Sequence, residues 1–312
     1  MQILIVVVLY KMPLGDSATI AGLSRSFEML PQLLDSMSIL IWDNSPSRLD
    51  NPELPFPFEY MHIGENLGIS SAYNRAMLVA EASWTPWLMF LDQDTTLTDN
   101  FLSRMLEYSR EQERNPRIAA VAPYLMAGSG IISPGVIHIN HTKPMSLGIS
   151  GEYTKGCYAA NSGMLMRVTS LREIGGYDEK FWLDYSDIVV CHKLYMQGKH
   201  LYIAGDLLLQ HRLASNDYDG SMSPERYRNV IKAEGAYWDL YRSSWENVAL
   251  TARLLARFCK QYIRYKNKAF TGITWKYLLQ RIFTSKCSRL QNWKEQSRYR
   301  NIPVVSSGTA IG

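Results

Sequence analysis

Cysteine is scarce in this 312-residue sequence: there are four, Cys157, Cys191, Cys259 and Cys287, widely spaced and with no CxxC pair. That argues against a zinc knuckle and a disulfide framework, and it makes a reducing cytoplasm the expected setting. Long apolar runs are missing as well. The longest near the start, Ile3 to Leu9, is far short of the roughly 20 residues of a membrane-spanning helix. No basic segment precedes it and no small-residue cleavage site follows, so it reads as a buried strand. A glycine-rich phosphate loop is also lacking, because Leu9-Tyr-Lys-Met-Pro-Leu-Gly15 offers one glycine. This counts against a sugar-phosphate nucleotidyltransferase. Low-complexity tracts and internal repeats do not occur, and 46% hydrophobic with 20% charged residues is an ordinary globular mixture.

The net charge of +4 hides an asymmetry. Residues 250–300 hold 13 Lys/Arg and a lone acid, Glu295, a local balance of +12 that leaves −8 for the rest. A mildly acidic body with a basic tail suggests a catalytic unit attached to a negatively charged surface.

Short apolar runs alternate with helical patterns in the first half. The expected strands are Ile3–Leu9, Ser38–Trp42, Phe58–Ile63, Trp87–Leu91 and Ile118–Ala122, with helices at Ser17–Leu30, Ser70–Ala82 and Thr98–Arg114. Such alternation predicts parallel strands covered by helices. From Ala127 to Gly156 the pattern fades into Gly, Ser, Pro and His and predicts long loops. A further helix is expected over Asp187–Gln197, and a mainly helical tail from Pro224 to about Arg300.

On an open sheet of this kind ligands sit beyond the carboxyl ends of strands. Asp43 follows one such strand, and its carboxylate can accept from the imide of a uracil or thymine, or simply close an Asx-turn over Asn44-Ser45-Pro46. Asn74 and Arg75 lie on the helix opened by Asn66-Leu67-Gly68, within reach of a base or phosphate, or on an exposed helix face. Asp92-Gln93-Asp94 ends the most apolar strand, where two carboxylates at i and i+2 can hold a hard cation. The bare triplet is a weak signal, and Asp217-Tyr218-Asp219 repeats it in a polar segment without such a position. Asp184 and Asp187 follow Phe181-Trp182. Asp187 suits either a helix cap or a general base, and Trp182 either a sugar-stacking face or core. His211 leaves the run Leu207–Gln210 as a third metal ligand or a surface side chain.

Together these positions resemble the family 2 glycosyltransferases, within them the rhamnosyltransferase-like branch. The matching pieces are Val6–Lys11, Asp43-Asn-Ser45, Asn66–Asn74, Leu91-Asp-Gln-Asp94, Asn161-Ser-Gly163, Gly175-Gly-Tyr-Asp178, Asp184-Tyr-Ser-Asp187 and Gln210-His211, in that order across residues 3–211. One departure stands out: Val189, Val190 and Lys193 fill a stretch where family members often carry an acid, an aromatic and an arginine. The resemblance implies a GT-A type, Rossmann-like α/β fold for residues 1–220, with 221–312 as a helical, basic extension. It implies a nucleotide-sugar donor, Mg²⁺ or Mn²⁺, and inversion at the anomeric carbon. By the same resemblance Asp43 contacts the pyrimidine, Asn74 and Arg75 line the donor site, and Asp94 and His211 hold the metal with Asp92 nearby. Asp187 is then the base and Asp184 its supporting acid. The branch points to dTDP-L-rhamnose, with UDP-galactofuranose or a UDP-hexose behind it. The expected acceptor is a lipid-linked (polyprenyl diphosphate) glycan of O-antigen synthesis.

In the tail, Arg253, Arg257, Lys260 and Arg264 share one helical face, and Leu254, Leu255, Phe258, Tyr262 and Tyr265 cluster opposite. Trp275, Tyr277, Leu278, Ile282 and Phe283 recur among Lys276, Arg281 and Lys286. The pattern suits a helix lying on an anionic membrane, which makes the expected enzyme peripheral on the inner face of the plasma membrane. The other reading is a helix docked on the body with its charges in water. A nucleic-acid-binding module is the rival for the basic run. It leaves the strand-end aspartates without a use, so no nucleic-acid partner is expected.

Overall fold

The computed structural model describes residues 1–49, 53–139, 141–211 and 222–298; the triplet at 217–219 lies outside them. The first half follows the expected alternation: β1 (Ile3–Leu9), α1 (Ala18–Met29), β2 (Met37–Asp43), β3 (Glu59–His62), α2 (Gly68–Ala82), β4 (Trp87–Asp92), β5 (Thr95–Thr96), α3 (Phe101–Glu111) and β6 (Ile118–Ala127). Local chemistry sets the boundaries. Ser17 caps α1 by accepting from Ile20 N, and Pro31 follows its end. Strands β3, β2, β1 and β4 run parallel. Alternate residues of β1 enter opposite cores, Leu4, Val6 and Val8 on one face and Ile3, Ile5 and Val7 on the other, so the strand is apolar throughout.

Two expectations are corrected beyond β6. The Gly/Ser-rich stretch holds four short strands, β7 (Gly130–Ser133), β8 (Gly135–Ile137), β9 (Thr142–Pro144) and β10 (Gly151–Tyr153), each too brief to leave a periodic signal. After β11 (Cys157–Tyr158), β12 (Leu165–Arg167) slots antiparallel between β4 and β6, so the sheet is mixed rather than parallel. This antiparallel entry has a use. It carries Asn161-Ser162-Gly163 over the carboxyl end of β4, where Gly163 N donates to Phe90 O. Helices α4 (Val168–Glu173) and α5 (Ser186–Met196) follow, and then β13 (His200–His211). The end of β13 pairs with β5, setting His211 opposite Thr95.

The tail is helical as expected: α6 (Pro224–Tyr241), α7 (Ser244–Arg264), α8 (Lys268–Phe283) and α9 (Lys286–Arg298). Tyr227, Trp238, Leu250, Leu254, Phe270 and Leu278 join the same apolar core as β1. No described helix is long and apolar enough to cross a membrane.

The orientation of α7 overturns the expected one. Arg257 donates to Glu234 of α6 at 2.7 and 2.8 Å and Arg253 joins at 3.1 Å, so the basic face turns inward at these positions. In the second basic pattern Arg281 alone turns inward, buried against Asp239 at 3.1 Å with Arg289 at 2.8 Å on the same carboxylate, while Lys276 and Lys286 stay exposed. The physical reason is the pair of acids on the inner side of α6. A buried carboxylate needs a counter-cation, and these arginines supply it beside the buried Leu250 and Leu254.

Candidate active site

Three ligand-type side chains meet at the end of the central strand. Asp92 closes β4, Asp94 sits in the turn to β5, and His211 arrives at the end of β13. Their ligand atoms all lie within 4.8 Å of one another, and His211 Nδ1 is 3.5 Å from Asp94 Oδ1. The cluster is braced from behind by hydroxyls. Thr95, fully buried, bonds His211 Nδ1 at 2.9 Å and Ser162 Oγ at 2.7 Å. Ser162 Oγ accepts from Asp92 N at 3.0 Å, Thr19 Oγ1 donates to Asp92 O, and Ser17 Oγ donates to Gln93 O at 2.6 Å. These bonds fix the turn that presents both carboxylates.

Burial raises the Asp92 carboxyl and neighbouring Asp94 raises it further, while His211 opposes them. Two carboxylates converging this closely repel each other unless a cation joins them. The donor set of hard oxygens with one nitrogen fits Mn²⁺ or Mg²⁺.

Asp187 stands at the first turn of α5, with Oδ1 accepting from Ile188 N at 2.8 Å. Burial pushes its pKa up to about 6; the backbone bond opposes this, and Asp184 and Asp92 add to it. Tyr73 is buried, its hydroxyl reaches Asp92 Oδ1 at 3.4 Å, and Asp187 is among the charges that push its pKa up. Tyr185, just before α5, holds a left-handed φ of +66°, which turns the chain so that Asp187 faces inward.

Other expected residues are present in different employment. Asp43 is fully buried and its carboxylate accepts from Ser45 N at 2.8 Å, Leu49 N at 3.1 Å and Tyr60 Oη at 2.6 Å. Burial raises its pKa, but the bonds from Ser45 and Tyr60 outweigh that and hold it low. Of the two readings open in the sequence, the turn-closing one is the one drawn here. Asn74 is likewise engaged by backbone: its amide grips Tyr177 N and O at 2.8 and 3.0 Å, and Glu179 takes a further bond at 3.0 Å. It braces the Gly175–Asp178 turn. Arg75, half-buried beside it, makes no hydrogen bond or ion pair among the described residues. Trp182 is half-buried, and its carbonyl accepts from Ile69 N at 2.8 Å, clamping the loop to the start of α2. Gly68 is required there: at φ +82°, an added Cβ would lie 2.3 Å from that carbonyl oxygen. In the departing stretch, Val189 and Val190 are core and Lys193 donates to Gly176 O at 2.8 Å.

Sequence reasoning missed Arg226. It comes from the first turn of α6 and pairs with Asp184 at 2.9 Å, and its charge also reaches Asp92. No spacing rule links residues 42 apart, so only folding reveals that the tail supplies a cation to the site. Thr95 was missed too, although it adjoins Asp94.

Residues 38–175 match the family described as Glycosyl transferase family 2. Among solved structures, it is similar to S. aureus TarS 1-349 in complex with UDP-GlcNAc, with 11% identity, a TM-score of 0.52, and 96% of this chain and 89% of that one covered. It is also similar to GalNAc-T7 with UDP, GalNAc and Mn²⁺, at 13% identity and a TM-score of 0.54, over 97% of this chain and 58% of that one. At such identities the likeness is one of fold, and it agrees with the GT-A-like architecture and helical C-terminal region. No curated protein matches the sequence.

Proposed function

We propose that this chain is an inverting, metal-dependent glycosyltransferase that moves a sugar from a nucleoside diphosphate onto an alcohol. The supporting observations are the Asp92–Asp94–His211 cluster and a carboxylate, Asp187, whose pKa is raised to about 6 and on which the charge of Asp92 acts. A divalent cation held by Asp94 and His211, with Asp92 beside it, would neutralise the departing diphosphate. Asp187 takes the proton of the acceptor hydroxyl, a step worth about 10²–10⁴-fold. Arg226 tethers Asp184 next to it, and Trp182 borders the acceptor side. Arg75 lies on the donor side, as do Asn74 and Asp43, which act there through the turns they hold. A single base, with no second carboxylate placed as nucleophile, corresponds to inversion.

The donor we favour is dTDP-L-rhamnose, with UDP-galactofuranose or a UDP-hexose as alternatives. The acceptor we favour is a polyprenyl-diphosphate-linked glycan of bacterial O-antigen synthesis, reached by an enzyme bound peripherally at the cytoplasmic face of an anionic membrane. A thermal-shift panel of dTDP-L-rhamnose, UDP-galactofuranose and UDP-GlcNAc with Mn²⁺ tests the donor class. The largest stabilisation is expected with dTDP-L-rhamnose, and no stabilisation by any member would overturn the reading.

A further inference from the structure

The helix α7 carries apolar side chains on both sides, Leu250 and Leu254 buried in the core and a second set facing out. Its inward side carries Arg253, Arg257, Asn247 and Gln261 beside these two leucines, while Trp245, Val248, Leu255, Tyr262 and Ile263 point to solvent. Ile263 is 79% exposed, and on α8 Phe283 is 80% exposed. The two outer faces are continuous, because Phe258 of α7 packs on Trp275 of α8 with ring centroids 4.9 Å apart. Burying charge and exposing apolar surface on one helix is unfavourable twice over unless something covers the outer face.

The charges around this face say what covers it. From Asn247 to Lys294 the chain contains no acid. Four inner arginines pair with only two carboxylates, Glu234 and Asp239, and Lys260, Arg264, Lys266, Lys268, Lys276 and Lys286 are exposed on and beside these helices. Lys268 lies over the exposed Tyr262 ring, 5.3 Å from its centroid, so cation and apolar surface are adjacent. A two-fold contact with a second copy would set this cationic surface against itself. An anionic lipid surface instead accepts apolar side chains below its headgroups and lysines at them.

We infer that the outer face of α7 and α8 is a membrane-docking surface that inserts Trp245, Ile263, Phe283 and their neighbours into an anionic bilayer. This deepens the membrane part of the reading above and is independent of the donor chemistry. It keeps the apolar insertion expected from the sequence and changes the cations, since Arg253 and Arg257 are engaged by Glu234 and the exposed lysines take their place.

Flotation with vesicles of phosphatidylcholine, with and without 30% phosphatidylglycerol, tests it using the full chain. Binding to the anionic vesicles is expected, and the double variant Ile263→Ser/Phe283→Ser should weaken it at least about tenfold. Lys260→Glu/Lys276→Glu should weaken binding and flatten its salt dependence. All variants should keep the wild-type melting temperature and the same stabilisation by nucleotide sugar with Mn²⁺. No binding of the wild-type chain to anionic vesicles at low salt would overturn the inference. So would a solution dimer that the Ile263→Ser/Phe283→Ser change converts to monomer. Vesicle binding without any nucleotide-sugar effect would sink the transferase reading and leave this one standing.

Discussion

Asp187 and Glu234 are both carboxylates enclosed by protein, and the fold treats them oppositely. Glu234 receives two arginines, and although burial raises its pKa, Arg257 and Arg253 outweigh that and hold it low. Among the described residues no cation pairs with Asp187; its acidic neighbours Asp184 and Asp92 add to the effect of burial. The first arrangement yields a permanently charged tie between helices, the second a proton acceptor that titrates near the working pH. Desolvation is common to both, and the presence of a guanidinium decides whether the outcome is structure or chemistry.

The comparison breaks most visibly if each acid is removed. Asp187→Asn should lower kcat by about 10²–10⁴-fold while nucleotide-sugar affinity, read by calorimetry, stays near wild type. Wild-type turnover would place the base elsewhere. Glu234→Ala should leave Arg257 uncompensated and cost about 3–5 kcal/mol of stability in urea unfolding. A loss below about 1 kcal/mol would mean the pair is solvated.

Smaller effects sharpen the contrast. Thr95→Val keeps the volume but removes the hydroxyl that holds His211 and Ser162. Mn²⁺ affinity should fall about 10–100-fold in calorimetric titration. Unchanged affinity would show that His211 is oriented by other contacts. Asp94→Ala should make nucleotide-sugar binding insensitive to chelator, whereas the wild-type chain should lose affinity when EDTA is added.

Much of this was legible in the sequence, and the exceptions have physical causes. The inner strands β1, β2 and β4 announce themselves because both faces are buried and their runs are uninterrupted. Asp92, Asp94 and His211 could be found because strand ends are where such sheets bind ligands. The direction of β12 was not legible, since three residues carry no sign of parallel or antiparallel pairing. Nor was the employment of Asn74, whose partners at Tyr177 and Glu179 lie about a hundred positions away. The orientation of α7 escaped for a different reason. Periodicity defines two faces of a helix but not which is turned inward, and here one acid on α6, Glu234, decides it.

The pH dependence of kcat/KM tests the central claim most directly. A base must be deprotonated, so with Asp187 at about 6 the rate should be full above that pH, half at about 6, and fall tenfold per unit below it. In Asp187→Asn the residual rate should lose this limb. An acid limb near the ordinary carboxylate range, or one near 6 that survives in Asp187→Asn, would contradict the assignment of the unpaired carboxylate as the base.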